Sequence, residues 1–108
     1  MNELKINNTM FDSIKHIDEL NQEYWLAREL MPLLNYSKWE NFYKVILKAI
    51  DACQNSNNNI NEHFPEIRKM LEMPNNAVKR IKDYKLTRYA CYLIAQNGDS
   101  RKEVIALA

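Results

Sequence analysis

The sequence predicts a small α+β domain, two short β-hairpins packed against three or four helices, and three features predict it. The run Arg88-Tyr89-Ala90-Cys91-Tyr92-Leu93-Ile94-Ala95 follows a capping threonine and is apolar around most of its circumference, so it forms a helix that has to be buried. Pro74-Asn75-Asn76 separates two extended runs, Ile67–Met73 and Val78–Leu86, and reads as a hairpin turn because asparagine tolerates positive φ. Trp39, Phe42, Tyr43, Ile46, Ile50 and Cys53 recur every three or four residues, with Glu40, Asn41, Lys44, Lys48 and Asp51 between them, which is an amphipathic helix.

In chain order, residues 1–10 form a mostly polar, flexible N-terminus and 11–108 the domain. Phe11, Ile14 and Ile17 fit one helical turn or a strand equally well. After a polar turn over Asp18–Gln22, Glu23-Tyr24-Trp25-Leu26 reads as a strand pairing back on Ile14–Ile17. Ala27–Leu34 is a short helix with a kink or early first turn at Pro32, closed by Asn35 in the left-handed region. Ser37-Lys38-Trp39-Glu40 has the form of a capping box and predicts that the long helix starts at Ser37. Gln54–Asn61 is an asparagine-rich loop, and Glu62-His63-Phe64 leads into the second hairpin. Thr87 caps the buried helix and Gly98, the one glycine, ends it. Ser100-Arg101-Lys102-Glu103 is a second capping box, and the helix it starts is still apolar at Leu107, as a truncated helix would be.

One domain accounts for 108 residues, and 46% apolar content supplies its core. No apolar run reaches the roughly 20 residues that span a bilayer, and Met1–Ile6 has no signal-peptide core, so a cytoplasmic protein without a membrane partner is expected. Cys53 and Cys91 fall in apolar helical patterns and read as reduced, buried thiols.

The net charge of +1 conceals an asymmetry. Residues 1–64 carry six basic and nine acidic side chains, whereas 65–88 carry seven basic and three acidic ones. The seven are Arg68, Lys69, Lys79, Arg80, Lys82, Lys85 and Arg88, and they make the second hairpin a candidate wing for phosphates. On charge alone a solvated surface hairpin explains them as well. The layout of Ala27–Cys53, a short helix, an asparagine turn and a longer helix, fits a helix-turn-helix. Trp39, Phe42 and Tyr43 at the start of its second helix are better suited to anchoring than to reading bases. His16, His63, Cys53 and Cys91 match no zinc spacing, a thiol in an apolar helix is inert without a base, and one glycine cannot build a phosphate loop. No catalytic residue, metal or cofactor is assigned, and an enzyme is the weakest class.

Several blocks of the chain resemble one family. They are Phe11-Asp12-Ser13-Ile14-Lys15-His16, Glu23-Tyr24-Trp25, Ala27-Arg28-Glu29-Leu30, Lys48-Ala49-Ile50-Asp51-Ala52-Cys53 and Glu62-His63-Phe64. Ile81-Lys82-Asp83-Tyr84-Lys85-Leu86 and the run from Arg88 to Asp99 complete the set. Together they are similar to the N-terminal, BRO-N-like region of the bacterial DNA-damage-inducible protein D family, within the wider BRO-N group. The resemblance implies induction in the SOS response, a nucleoid-associated role in DNA transactions and modulation of the recombinase filament. It also implies DNA, single- or double-stranded, as a partner, with phage antirepressors among the relatives. A rival reading is a protein-interaction module that contacts a repressor or the recombinase, and the oligomeric state is left open. Members continue past Ala108. Two departures stand out: Glu40 occupies a position where members often carry arginine, and Asn75-Asn76 one where they favour glycine or serine.

Overall fold

The computed structural model describes residues 8–98. The second capping box at Ser100 and the apolar end of the chain therefore lie outside the described residues, as does most of the N-terminal segment. The elements run α1 (Asn8–Ser13), β1 (His16–Ile17), β2 (Glu23–Leu26), α2 (Ala27–Leu33), α3 (Trp39–Asn55), α4 (Ile60–His63), β3 (Glu66–Glu72), a 3-10 turn (Pro74–Asn76), β4 (Val78–Leu86) and α5 (Arg88–Gln96).

The two hairpins are not separate. Their four strands form one antiparallel sheet in the order β1-β2-β4-β3, because β4 changes partner along its length. Its outer part, from Val78 to Tyr84, pairs with β3, and its inner end pairs with β2 through Trp25–Leu86 and Leu26–Lys85. Each hairpin looks self-contained in sequence, and only the tertiary fold brings β2 beside β4. Five α-helices surround the sheet among the described residues, against the three or four expected. The additional ones, α1 and α4, are each too short to show a helical repeat.

The core forms where α3 crosses α5 against the inner end of β4. Phe42, Ile46, Ala49 and Cys53 from α3 meet Ala90, Cys91, Leu93 and Ile94 from α5, with Leu86, Trp25 and Leu30 closing the sides. Trp39 and Tyr89 lie against this cluster partly buried. The ambiguous N-terminal pattern divides, with Ile17 in β1, Ile14 in the turn between the two elements and Phe11 in α1. The Phe11 ring stacks on Trp25 at 4.3 Å and its carbonyl accepts from the indole N–H at 3.0 Å, which fastens α1 onto the sheet.

The ends of the elements follow local chemistry with three exceptions. Thr87 caps α5 as expected, its hydroxyl accepting from the Ala90 N–H at 3.2 Å. Asn21, Asn35, Asn75 and Asn76 all take positive φ at turns read from sequence, and Asn57 is a fifth such residue. Ser37, however, does not cap α3. The helix begins at Trp39 with Lys38 in the capping position and no side-chain cap, and its first turn is held instead by tertiary packing, with Trp39 under the Arg28 guanidinium and Phe42 in the core. The loop expected over Gln54–Asn61 is shorter. Helix α3 runs on to Asn55, and Asn59 caps α4 by accepting from the N–H groups of Asn61 and Glu62. Finally, α5 ends at Gln96, and Gly98 has no positive φ. Its lack of a side chain admits Tyr36 instead: a Cβ there would stand 3.0 Å from the Tyr36 hydroxyl.

Candidate nucleic-acid interface

Every residue from Met70 to Arg80 is exposed, so the outer half of the β3–β4 hairpin projects from the body as a two-stranded ribbon. At about 3.4 Å per residue the seven paired positions of the whole hairpin span roughly 20 Å, and the pairs 70–80, 71–79 and 72–78 are its exposed outer end. Residues directly opposite one another share a face. One face carries Arg68 beside Lys82, Met70 beside Arg80 and Glu72 beside Val78. The other carries Ile67 beside Asp83, Lys69 beside Ile81 and Leu71 beside Lys79. The basic side chains are thus divided between both faces.

The seven cations singled out by charge fall into two groups. Towards the base of the ribbon they are engaged. Asp83 is completely buried, and its Oδ1 accepts from the backbone N–H groups of Arg28 at 3.0 Å and Tyr84 at 2.8 Å. The Lys69 ammonium stands 3.1 Å from the Asp83 Oδ2, outside hydrogen-bonding angles but close enough to neutralise it. Lys82 donates to the Tyr43 hydroxyl at 3.1 Å, lies over the same ring and approaches Glu66. Hydrogen bonding to that ammonium draws the Tyr43 hydroxyl below its ordinary range, and burial pushes the Tyr84 hydroxyl up. Arg68 pairs with Glu66 at 2.9 Å, and Lys85 sits over the Tyr24 ring at 4.4 Å.

Arg88 is not on the ribbon at all. It opens α5 and binds both carboxylate oxygens of Glu23, at 2.9 and 3.1 Å, with its guanidinium over Trp25. That fork holds the Glu23 carboxyl below the usual carboxylate range. Lys79 and Arg80, near the tip, have no ion pair among the described residues and are exposed. Charge counting along the sequence could not separate them from the engaged five.

Two further features escaped the sequence reading. A closed ring of contacts clamps the ribbon's base. Arg28 donates from Nε to the Lys82 carbonyl at 2.7 Å and covers Trp39 at 4.1 Å, Trp39 stacks on Tyr43, and Tyr43 returns to Lys82. The second is a set of exposed apolar side chains on the ribbon: Met70, Leu71, Met73 and Val78 are 40% to 61% accessible. Their signal in the sequence is the lack of strict alternation through Met70-Leu71-Glu72-Met73, where a strand with one buried face would alternate.

The start of α3 does not offer a reading head for DNA bases. Phe42 is fully buried, and Trp39 and Tyr43 are committed to Arg28 and Lys82. A groove of about 530 Å³ between α1 and α2 contains Lys15, His16, Arg28 and Glu29, with the His16 imidazole 2.7 Å from Glu29. Ser13 also lines the groove, its hydroxyl donating to the Met10 carbonyl at 2.7 Å. Among the described residues no group of three or more His, Cys, Asp or Glu side chains is placed to hold a metal ion, and no helix is long and apolar enough to cross a membrane. Both cysteines are free and buried, and burial pushes both thiols up.

The chain is similar to DNA damage-inducible protein D of Escherichia coli (strain K12), 47% identical over 96 residues. The match takes in 89% of this chain but 35% of that relative, so the chain spans about a third of the relative's length. No solved structure matches. Residues 13–108, which include the projecting ribbon and its clamp, match the BRO family, N-terminal domain, and the chain belongs to that family.

Proposed function

We propose that this domain binds DNA through the β3–β4 ribbon and serves a bacterial DNA-damage response without chemistry of its own. The observation that carries the reading is the position of Lys79 and Arg80: two cations with no ion pair among the described residues, on a ribbon that projects into solvent. Forming a phosphate contact there breaks no ion pair among the described residues. Arg68, Lys69, Lys82 and Arg88 would first have to leave Glu66, Asp83, Tyr43 and Glu23, and Lys85 its place over Tyr24. The similarity to a DNA damage-inducible protein supports the physiological setting. Phosphate contacts of this kind provide affinity and orientation, not sequence readout.

A second reading is favoured by the exposed apolar residues of the ribbon. Met70, Leu71, Met73 and Val78 suit docking on a repressor or recombinase surface. Salt separates the two, since counterion release makes phosphate binding steeply salt-dependent and apolar docking is far less so. Fluorescence anisotropy on single- and double-stranded DNA, with the parent and a Lys79→Ala/Arg80→Ala variant, is the test. The slope of log affinity against log salt is expected to shrink by about 0.9 per lost contact on duplex and about 0.7 on single strands. An unchanged slope in a folded variant removes the ribbon tip from the interface.

A further inference from the structure

We infer that the tip of the ribbon is an apolar wedge that enters between adjacent base pairs and bends the DNA, an inference that rests on the DNA-binding reading above. Three observations converge on the tip. First, Met73 and Val78 are 40% and 56% accessible on either side of an exposed Pro74, and Met70 and Leu71 continue the apolar surface on opposite faces. Apolar side chains on the two faces of a free ribbon have no core to pack on, so their exposure needs another occupant.

Second, the tip is narrow and firmly closed. The Met73 N–H donates to the Ala77 carbonyl at 2.8 Å, and Asn75 and Asn76 take φ of 70° and 62° to turn the chain within three residues. Pro74 adds a rigid ring at the corner and carries no N–H that would need a partner. Third, the side chains that follow the wedge are Lys79 and Arg80, with no ion pair among the described residues, while Glu72 is the one acidic side chain between Met70 and Arg80. A protein partner would have to bring acidic groups around an apolar socket. DNA supplies both at once: stacked bases at the centre and phosphates at the rim. Apolar side chains inserted between base steps unstack them and kink the duplex by roughly 20–90°. Flexible pyrimidine–purine steps are the easiest to open.

The experiment uses a duplex of about 30 base pairs with a central TA step, a donor and an acceptor dye at its ends, and 2-aminopurine at the step. With the parent protein at saturation, energy transfer between the ends should rise and 2-aminopurine should brighten. Met73→Ser/Val78→Ser should bind with the parent's salt slope while both signals return to those of free DNA. Circular dichroism verifies folding, and Pro74→Ala provides a second tip variant with a smaller expected loss of bend. If the parent binds DNA and neither signal moves, or if the tip variants bend it as the parent does, the wedge is refuted and the phosphate-binding reading stands. If the parent binds no DNA at low salt, both fall. If the double variant changes the sedimentation of the protein from dimer to monomer and leaves the bend intact, the apolar tip is a contact between copies of this chain and the wedge is refuted.

Discussion

At the scale of single residues, Asp83 organises the base of the ribbon. A buried carboxylate is tolerated only when its charge and lone pairs are met, and here one oxygen takes two backbone N–H groups and the other faces Lys69. Replacing Asp83 with alanine strands those N–H donors, which costs roughly 1–3 kcal/mol for a buried group left without its partner. Asparagine keeps an acceptor for both donors, so Asp83→Asn should recover most of the loss. Urea unfolding of the two variants beside the parent measures the difference. Glu23 supplies the pH dependence. Its carboxyl is held below the ordinary value of 4.5 chiefly by hydrogen bonds from Arg88. The folded state therefore binds that proton less readily than the unfolded chain. The resulting stability is fully present above the ordinary value and is lost as pH falls through the lowered one. The gap in urea midpoint between the parent and Glu23→Gln should be widest above the ordinary value of 4.5 and shrink as pH falls below it. High salt should narrow it at every pH, because the pair is partly exposed.

At the scale of elements, α5 bears the greatest consequence for stability. Leu93 is 7% accessible and lies where α5 crosses α3, so Leu93→Ala should destabilise the domain by roughly 2–5 kcal/mol, measured by thermal or urea unfolding. A loss under 1 kcal/mol would contradict the packing of the two helices. This element was legible in the sequence because two signals agreed: a threonine cap and an apolar circumference. The same rules misplaced the start of α3. The Ser37 hydroxyl is a sound local cap, but the helix starts at Trp39, where the Arg28 guanidinium of α2 covers the indole and Phe42 is buried in the core, and no local window contains those contacts. Asn59 shows the reverse case. Its side chain caps a helix that the surrounding run of asparagines concealed. The β2–β4 pairing was invisible for a related reason. Trp25 and Leu86 are sixty-one residues apart, and nothing in either strand names its partner.

At the scale of the whole molecule, composition located the ribbon and could not rank its cations. A count assigns Lys69, Lys82 and Arg88 the same weight as Lys79 and Arg80. The fold commits the first three to Asp83, Tyr43 and Glu23. The two thiols offer a measure of global opening. Cys53 and Cys91 are buried in the core, and burial raises both thiols, so little reactive thiolate forms in the native state. Labelling by a thiol reagent at neutral pH should proceed only through unfolding, and Leu93→Ala should accelerate it. Rapid labelling of the folded parent would place a channel to the core that the structure does not contain.

The long strand β4 also has a mechanical meaning. Val78 to Tyr84 pair with β3 out along the ribbon, Lys85 and Leu86 pair with β2 inside the body, and one residue later Thr87 begins α5. The ribbon is therefore a cantilever whose beam is continuous with the frame. Its support is the Asp83 carboxylate and the Arg28–Trp39–Tyr43–Lys82 ring, set at the point where the overhang begins. A load at Met73 is carried along an uninterrupted strand to a fulcrum shared with α2 and α3, and the far side of that fulcrum is the first turn of the central helix. Strain at the tip and torque on α5 are then two readings of one deflection, transmitted without a hinge.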